Sequence, residues 1–454
     1  MSGGEQRLWF EHALLPEGWR PSVRLTVAEG RIKKLETAVE KSSGDEIHAV
    51  AVPGMPNLHS HAFQRGMAGL AETRGPSNDS FWTWRELMYR FVGQLDPDQF
   101  EAIAAMAFAE MLESGFTRVG EFHYLHRDKD GAPYADRGEM AVRAAAAAHQ
   151  SGIGLTLLPV FYAHSGFGGL APNPMQKRFI HGVDDFALLL DASRKAVANL
   201  DDAVVGAAPH SLRAVTDDEL GKVAALAGGA PIHIHISEQM KEVEDCVAWS
   251  GKRPVQFLLE TGLVNDRWCL VHATHIDGTE MEAIVKSGAV AGLCPITEAN
   301  LGDGVFPAAP FLQGGGRLGI GSDSNILIDA AEELRVLEYG QRLAHRSRNV
   351  LASAQGASTG AELYRAALAG GAQALGVESG IKAGAPADLV SLDLGHPAMT
   401  GRKDDSLLDS WIFAARGGAV DAVWRRGNKV VAQGRHVARD AINARYRKTL
   451  AALL

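Results

Sequence analysis

The chain is 454 residues long, which allows one large barrel of about 250 residues with a satellite, or two to three smaller domains. Its 45 Lys and Arg stand against 54 Asp and Glu, a formal charge of −9 with no basic block, which disfavours nucleic acid and anionic membrane surfaces as partners. Hydrophobic residues at 46% and charged residues at 22% exclude disorder as the main theme. The opening MSGGEQRLWFEH has no charged segment followed by an apolar run, so no export signal is expected. LWFEHALLP, SVRLTVAEGRIKKLET and EIHAVAVPG alternate apolar and polar residues and read as strands, with Glu29-Gly30 as a turn. From about Pro56 to Ala383 the rhythm changes. The apolar runs MPNLHSH, FTRVGEF, GLTLLPVFY, AVVGAAPH, PIHIHIS, CLVHATH, AVAGLCP and RLGIGSD alternate with helical patterns such as EAIAAMAFAEMLESG, RGEMAVRAAAAAHQSG and DDELGKVAALAGG. Eight such strands predict an α/β fold, a (β/α)8 barrel of the TIM type. A doubly wound sheet would want a glycine-rich phosphate loop after its first strand, and the sequence has none there. Residues 73–93, rich in Trp and Arg, are too long for a simple βα turn and read as a functional loop or lid. Beyond the barrel, ADLVSLDL and AVDAVWRRGNKVVAQG are hairpin-like, with a turn at Gly427-Asn428. The expected organisation is a small β-sandwich built from both termini (1–54 and 384–436), a barrel over 55–383 and a C-terminal helix over 437–454. No stretch approaches the about 20 apolar residues that cross a bilayer. Cys246, Cys269 and Cys294 fit neither a disulfide framework nor a zinc knuckle, and a reducing cytoplasm is expected.

Catalytic groups of such a barrel sit at the C-terminal ends of its strands. There the first run ends in His59-Ser60-His61, whose i, i+2 spacing turns both imidazoles to one side. The fifth carries His233 and His235 with Glu238 after them, the sixth His272 and His275, and the eighth Asp323 within GSDSN. Any one of these residues alone is more often a packed, hydrogen-bonded group than a ligand. Four strands that each place a ligand type at the same end of one barrel predict a metal site, and imidazole with carboxylate suits zinc or iron.

PNLHSH, HIHISE, VHATH, GIGSDSN and GAPADLV, in this order over essentially the whole chain, resemble the amidohydrolase superfamily, and His235-Ile236-Ser237-Glu238 resembles its deaminase branch. The resemblance implies one divalent metal, zinc in most relatives, held by His59, His61, His235 and Asp323. Two-metal relatives bridge their ions with a lysine at the end of strand four; here that strand ends Ala207-Ala208-Pro209-His210, which favours a single ion. His233 is expected below the metal layer and His275 beyond it. The implied catalytic residues are Asp323 as proton acceptor for the attacking water, His272 beside the reacting carbon and Glu238 as proton donor to the departing nitrogen. A narrower likeness within the branch, in HSHAFQRGMAG, SFWTWRELMY, EFHYLHRD and APHSLRAV, implies an acyclic dicarboxylate bearing a formimino group as substrate. Arg85 and Arg213 would pair with its carboxylates, since the guanidinium fork matches that group. Gln64, Tyr124 and His210 would complete the pocket, Trp82 and Trp84 could close it, and Arg65, Arg74 and Arg90 are expected at the surface. The resemblance also implies a homodimer. The alternative is a related deaminase acting on a purine, pyrimidine or triazine ring, which would want an aromatic slot with amide donors in place of two arginines.

Overall fold

The computed structural model describes residues 5–75 and 80–454. The alternating N-terminal stretches form strands Gln6–Leu15, Gly18–Ala28, Arg31–Glu36 and Glu46–Pro53. From the other end come Leu389–Leu392, Val420–Arg425, Asn428–Ala432 and Arg435–His436. The two sets join where Val50 pairs with Leu392 and Pro53 with Leu389, and the result is one continuous eight-stranded sheet. This sheet curls over its own core, which includes Leu8, Phe10, Val23, Leu25, Leu389 and Trp424. Two of its hairpin turns, at Glu29-Gly30 and Arg426-Gly427, are tied together through Ala387, whose N–H donates to Gly30 O (3.0 Å) and whose carbonyl accepts from Gly427 N–H (2.9 Å). The sandwich expected from both termini is thus one folded sheet. Its second hairpin turns at Arg426-Gly427, one residue earlier than expected. Arg426 (φ 47°) and Gly427 (φ 74°) both take the left-handed conformation that a two-residue hairpin needs, and Asn428 already pairs with Arg425.

The eight middle runs all form strands. In barrel order they are Met55–Ser60, Phe116–His123, Gly154–Phe161, the interrupted pair Val204–Val205 and Ala208–Pro209, Ile232–Ile236, Trp268–His272, Val290–Leu293 and Arg317–Ile320. Strands one to four form one parallel sheet and five to eight another. Bridges at Ala207–Ile232 and Ser211–His235 on one side, and Ser60–Asp323 on the other, join them into a ring. The helices outside begin where the sequence supplies caps: Asp96 with Gln99, Thr216 with Glu219 and Asp277 with Glu280 make reciprocal capping boxes. The helix Thr359–Ala374 rests directly on strand eight, and a Cβ at Gly370 would lie 1.9 Å from Leu318 O.

One expectation changes. Within 73–93, residues Phe81–Val92 are an α-helix, started by a capping box of Ser80 with Thr83. Phe81, Trp84, Met88 and Phe91 recur at helical spacing, a period that the loop-length argument passed over. The part of that expectation covering 76–79 lies outside the described residues. The C-terminal helix spans Arg439–Leu453 and is pinned to the helix Pro97–Glu113 by Arg439–Glu113 (2.9 Å) and Arg445–Glu101 (2.5 Å). Among the described residues no helix is long and apolar enough to cross a membrane.

Candidate active site

Strand one ends with His59 and His61 on the same side, strand five brings His235, and Asp323 follows strand eight. His59 Nε2 lies 3.2 Å from His61 Nε2 and 3.1 Å from His235 Nε2. Asp323 Oδ1 lies 3.4 Å from His59 Nε2 and 3.3 Å from His61 Nε2. Tetrahedral ligands about 2.0–2.1 Å from a zinc-sized ion stand about 3.3–3.4 Å apart, so this donor set fits such an ion without rearrangement. The tautomers agree. His61 Nδ1 donates to Phe122 O (2.9 Å) and His235 Nδ1 to His210 O (3.1 Å), which leaves each Nε2 lone pair facing the centre. Burial drives His59 down to about 3 and His235 well below the ordinary imidazole range, so these rings are neutral, the form in which imidazole can bind a metal. Burial also opposes the charge of Asp323, but the hydrogen bond to His59 and the neighbouring His61 and His272 outweigh it and hold the carboxyl well below its usual range.

The backbone presents these groups under constraint. Asp323 N–H donates to His59 O (3.0 Å) and His61 N–H to Asp323 O (2.9 Å), so the junction of strands eight and one is made by the candidate ligands themselves. That close approach needs Gly321, where a Cβ would lie 2.7 Å from His59 O. Asn57, Ser322 and Asn325 lock it from below: Asn57 donates to Ser322 Oγ (2.6 Å), Ser322 to Asn325 Oδ1 (2.6 Å), and Asn325 Nδ2 to His61 O (3.1 Å). Ser237, His272, Ala273, Asp323 and Asn325 all have left-handed φ, between 42° and 67°. Such residues cost about 1–3 kcal/mol each and persist where the surroundings over-determine them.

Next to the donor set, His272 Nε2 lies 3.7 Å from Glu238 Oε1 and 3.9 Å from Asp323 Oδ2, and its Nδ1 is 3.1 Å from Glu298 Oε1. Burial works against a charged ring there, but Glu238, Glu298 and Asp323 prevail and push His272 up to about 10. Burial pushes the Glu238 carboxyl up to about 7, against the opposing charges of His272 and Arg213. Below them Glu242 accepts from the amides of Ser237 (3.2 Å) and Glu238 (3.4 Å).

A cavity opens above this cluster. His61, His235, Glu238, His272 and Asp323 form its floor, and Gln64, Arg85, Tyr124, His210 and Arg213 all face it. His59 is fully buried beneath. Gln64 donates to Tyr124 OH (2.9 Å), while its Oε1 has no hydrogen-bond partner among the described residues. Arg85 and Arg213 approach the Trp82 indole, with Cζ 4.6 and 5.6 Å from the ring centroid. Burial opposes the Arg213 charge, but Glu242 and Glu238 hold its pKa above the ordinary value. Burial and the Arg213 charge keep His210 neutral. Trp84 lines the cavity. Outside it, His233 is buried under the floor and bonded to Ala374 O (2.8 Å), and half-buried His275 offers its carbonyl to Arg253. Arg74 and Arg90 are exposed. Arg65 departs from expectation: half-buried, it pairs with Glu110 (2.6 Å) and donates to Asn325 O and Ile326 O (both 3.1 Å), tying the loop after strand eight to the helix after strand one. Sequence reasoning missed Asn57, Glu298 and Tyr162, the last of which lines the cavity. Asn57 could have been found in PNLHSH, since a buried polar residue on a strand must find partners.

Residues 50–430 match the Amidohydrolase family, and residues 8–49 match formimidoylglutamate deiminase HutF, N-terminal domain. A formimidoylglutamate deiminase of Pseudomonas aeruginosa is 50% identical over 450 residues, 98% of this chain and 99% of that protein. A 5-methylthioadenosine/S-adenosylhomocysteine deaminase of Natronomonas pharaonis is 29% identical over 392 residues, 85% of this chain and 82% of that one. Among solved structures, an amidohydrolase from Brucella melitensis matches with a TM-score of 0.96 at 56% identity, covering 99% of both chains. An adenosine deaminase from Xanthomonas campestris with bound zinc matches at 0.80 and 24% identity, covering 99% of this chain and 98% of that one, a likeness of fold.

Proposed function

The chain belongs to the amidohydrolase family and is a hydrolase of C–N bonds; from that premise we propose that its barrel mouth converts N-formimino-L-glutamate and water to N-formyl-L-glutamate and ammonia. The observation that carries this reading is that two arginines, Arg85 and Arg213, face the same cavity as His61, His235 and Asp323 of the donor set. A ring substrate gives two guanidinium groups nothing to pair with, whereas a dicarboxylate uses both.

His59, His61, His235 and Asp323 would hold one divalent ion, which we read as zinc. When bound, such an ion supplies Lewis acidity and lowers the pKa of its water from 15.7 towards about 7. Asp323 stands beside that position and accepts a proton from the attacking water. His272, charged and flanked by Asp323 and Glu238, steadies the incoming oxygen and the tetrahedral centre. Glu238 holds a proton near neutrality and delivers it to the departing nitrogen. The water oxygen joins the formimino carbon, the imino nitrogen takes one proton relayed from the water through Asp323 and one from Glu238, the bond between that carbon and nitrogen breaks, ammonia leaves, and the remaining water proton restores Glu238. Arg85 and Arg213 hold the two carboxylates, each charge-assisted bond contributing about 1.5–3 kcal/mol. Gln64, Tyr124 and His210 orient the chain between them. We read the enzyme as cytoplasmic, in keeping with three buried free cysteines, and as a homodimer, which the mass in solution checks.

The test is ammonia release by purified, zinc-loaded protein from N-formimino-L-glutamate, guanine and cytosine at equal concentration. The formimino compound is the expected substrate, and a preference for either ring removes the basis of the reading.

A further inference from the structure

Asp303 lies in the loop after the helix Pro295–Leu301 and has no part in the scheme above. The residue is 5% exposed. Glu238, His272 and Asp303 each point one ligand-type atom into a common cluster whose atoms lie within 4.8 Å of one another. Gln239, the residue after Glu238, donates its side-chain amide to Asp303 Oδ1. The other oxygen, Oδ2, is buried and has no hydrogen-bond partner among the described residues. A buried carboxyl with one satisfied oxygen and one free oxygen beside a second carboxyl is costly unless a proton lies between them. Burial and the neighbouring Glu238 push Asp303 up to about 9, in keeping with a carboxyl that carries a proton at neutral pH.

We infer that Asp303 is a positioning residue that acts through Glu238, holding the Glu238 carboxyl in the orientation from which it reaches the departing nitrogen. The inference rests on the reading of Glu238 as proton donor. Glu238 sits on the segment between Ser237, with its left-handed φ, and the helix that begins at Met240, and its own carboxyl oxygens make no short hydrogen bond to another side chain among those described. Glu242 supports its amide, not its carboxyl. Besides His272, 3.7 Å away, Asp303 is the polar side chain clustered with this carboxyl, and Gln239 fixes Asp303 in turn. A proton donor that is displaced by about an ångström loses up to about a hundredfold in rate, with little effect on substrate binding.

The experiment is steady-state kinetics of the metal-loaded enzyme on N-formimino-L-glutamate, with the Asp303→Ala and Asp303→Asn variants. Alanine removes the contact and is expected to lower kcat about ten- to a hundredfold with KM nearly unchanged. Asparagine keeps a neutral donor of the same shape and is expected to restore most of kcat. A parental kcat in Asp303→Ala overturns the inference. So does a loss confined to KM, which would make Asp303 a substrate contact, and so does an Asp303→Asn enzyme as slow as Asp303→Ala, which would mean that the charge is what matters. Should Asp303→Ala not fold, Asp303→Asn and Gln239→Leu carry the test: the first is expected to keep kcat, the second to lower kcat at constant KM, and the reverse of either overturns the inference. Glu238→Gln separates the two levels. If it retains turnover, the proton-donor reading fails; if it is inactive while Asp303→Ala is parental, only the present inference fails.

Discussion

His272 Nδ1 lies 3.1 Å from Glu298 Oε1, and the same carboxylate oxygen accepts the Cys294 amide at 2.8 Å. Glu298 belongs to the helix that follows strand seven, so strands six and seven are coupled through the carboxylate that orients the ring. A carboxylate on Nδ1 fixes the ring so that Nε2 faces Glu238 and Asp323. Glu298→Gln keeps the size and one acceptor oxygen but removes the negative charge beside Nδ1. We expect kcat to fall about ten- to a hundredfold, as for other residues that orient a reactive imidazole from behind. Metal content should be unchanged, because Glu298 is not among the four donors. Parental kcat in Glu298→Gln would show that His272 needs no such support.

Removal of the metal should cost both activity and stability. Four donor groups converge at 3.1–3.4 Å, and an ion bound there adds stability to the folded state alone. Dialysis against a strong chelator should abolish turnover and lower Tm, and added zinc should restore both. Metal analysis should find one ion per chain, falling towards zero in His235→Ala. Two ions per parental chain would contradict the single-site reading.

The pH dependence follows from Glu238. Its carboxyl is pushed from 4.5 up to about 7, chiefly by burial. In the proposed role of donor it works while protonated, so kcat should fall as pH rises through about 7. Stability has the same sign. Between 4.5 and about 7 the folded chain keeps a proton that the unfolded chain gives up, so this residue lowers stability progressively as pH rises across that interval. Glu238→Gln does not titrate, so its Tm relative to the parent should climb from pH 4.5 to pH 7 and then level off. Its kcat should fall about 10²–10⁴-fold, with the metal retained. A constant Tm difference over that range would contradict the burial argument.

The barrel and its histidines were legible because strand periodicity and function coincide. His59 and His61 two apart, and Asp323 just past a strand, can be placed on one rim from local pattern alone. Glu298 and Asp303 carry no such mark, since a glutamate in a first helical turn or an aspartate between glycines is ordinary surface chemistry until a distant ring packs against it. The Asn57–Ser322 bond spans 265 positions and leaves no periodic trace. The helix Phe81–Val92 was hidden for another reason: a connection too long for a simple βα turn suggested a loop or lid, although the apolar spacing was helical.

The last prediction concerns charge. The whole chain is acidic, so its overall field does not draw in anions, and local cations must. Arg213 is 9% exposed, its Nε has no hydrogen-bond partner among the described residues, and it faces the cavity together with Arg85. A carboxylate that takes up this unused donor gains about 1.5–3 kcal/mol, or roughly ten- to a hundredfold in binding. Arg213→Met and Arg85→Met should therefore raise KM for N-formimino-L-glutamate by about that factor, with a smaller change in kcat. Arg213→Lys should recover only part of it, since it keeps the charge and loses the fork. N-formimino-glycine lacks the second carboxylate, so one of the two Met substitutions should leave its kcat/KM near the parental value while the other lowers it. That asymmetry identifies which arginine reads which carboxylate. If both substitutions leave kcat/KM for N-formimino-L-glutamate unchanged, or if the parental enzyme turns over the glycine compound equally well, the dicarboxylate assignment falls and a ring substrate returns as the better explanation of the same metal, acid and histidine.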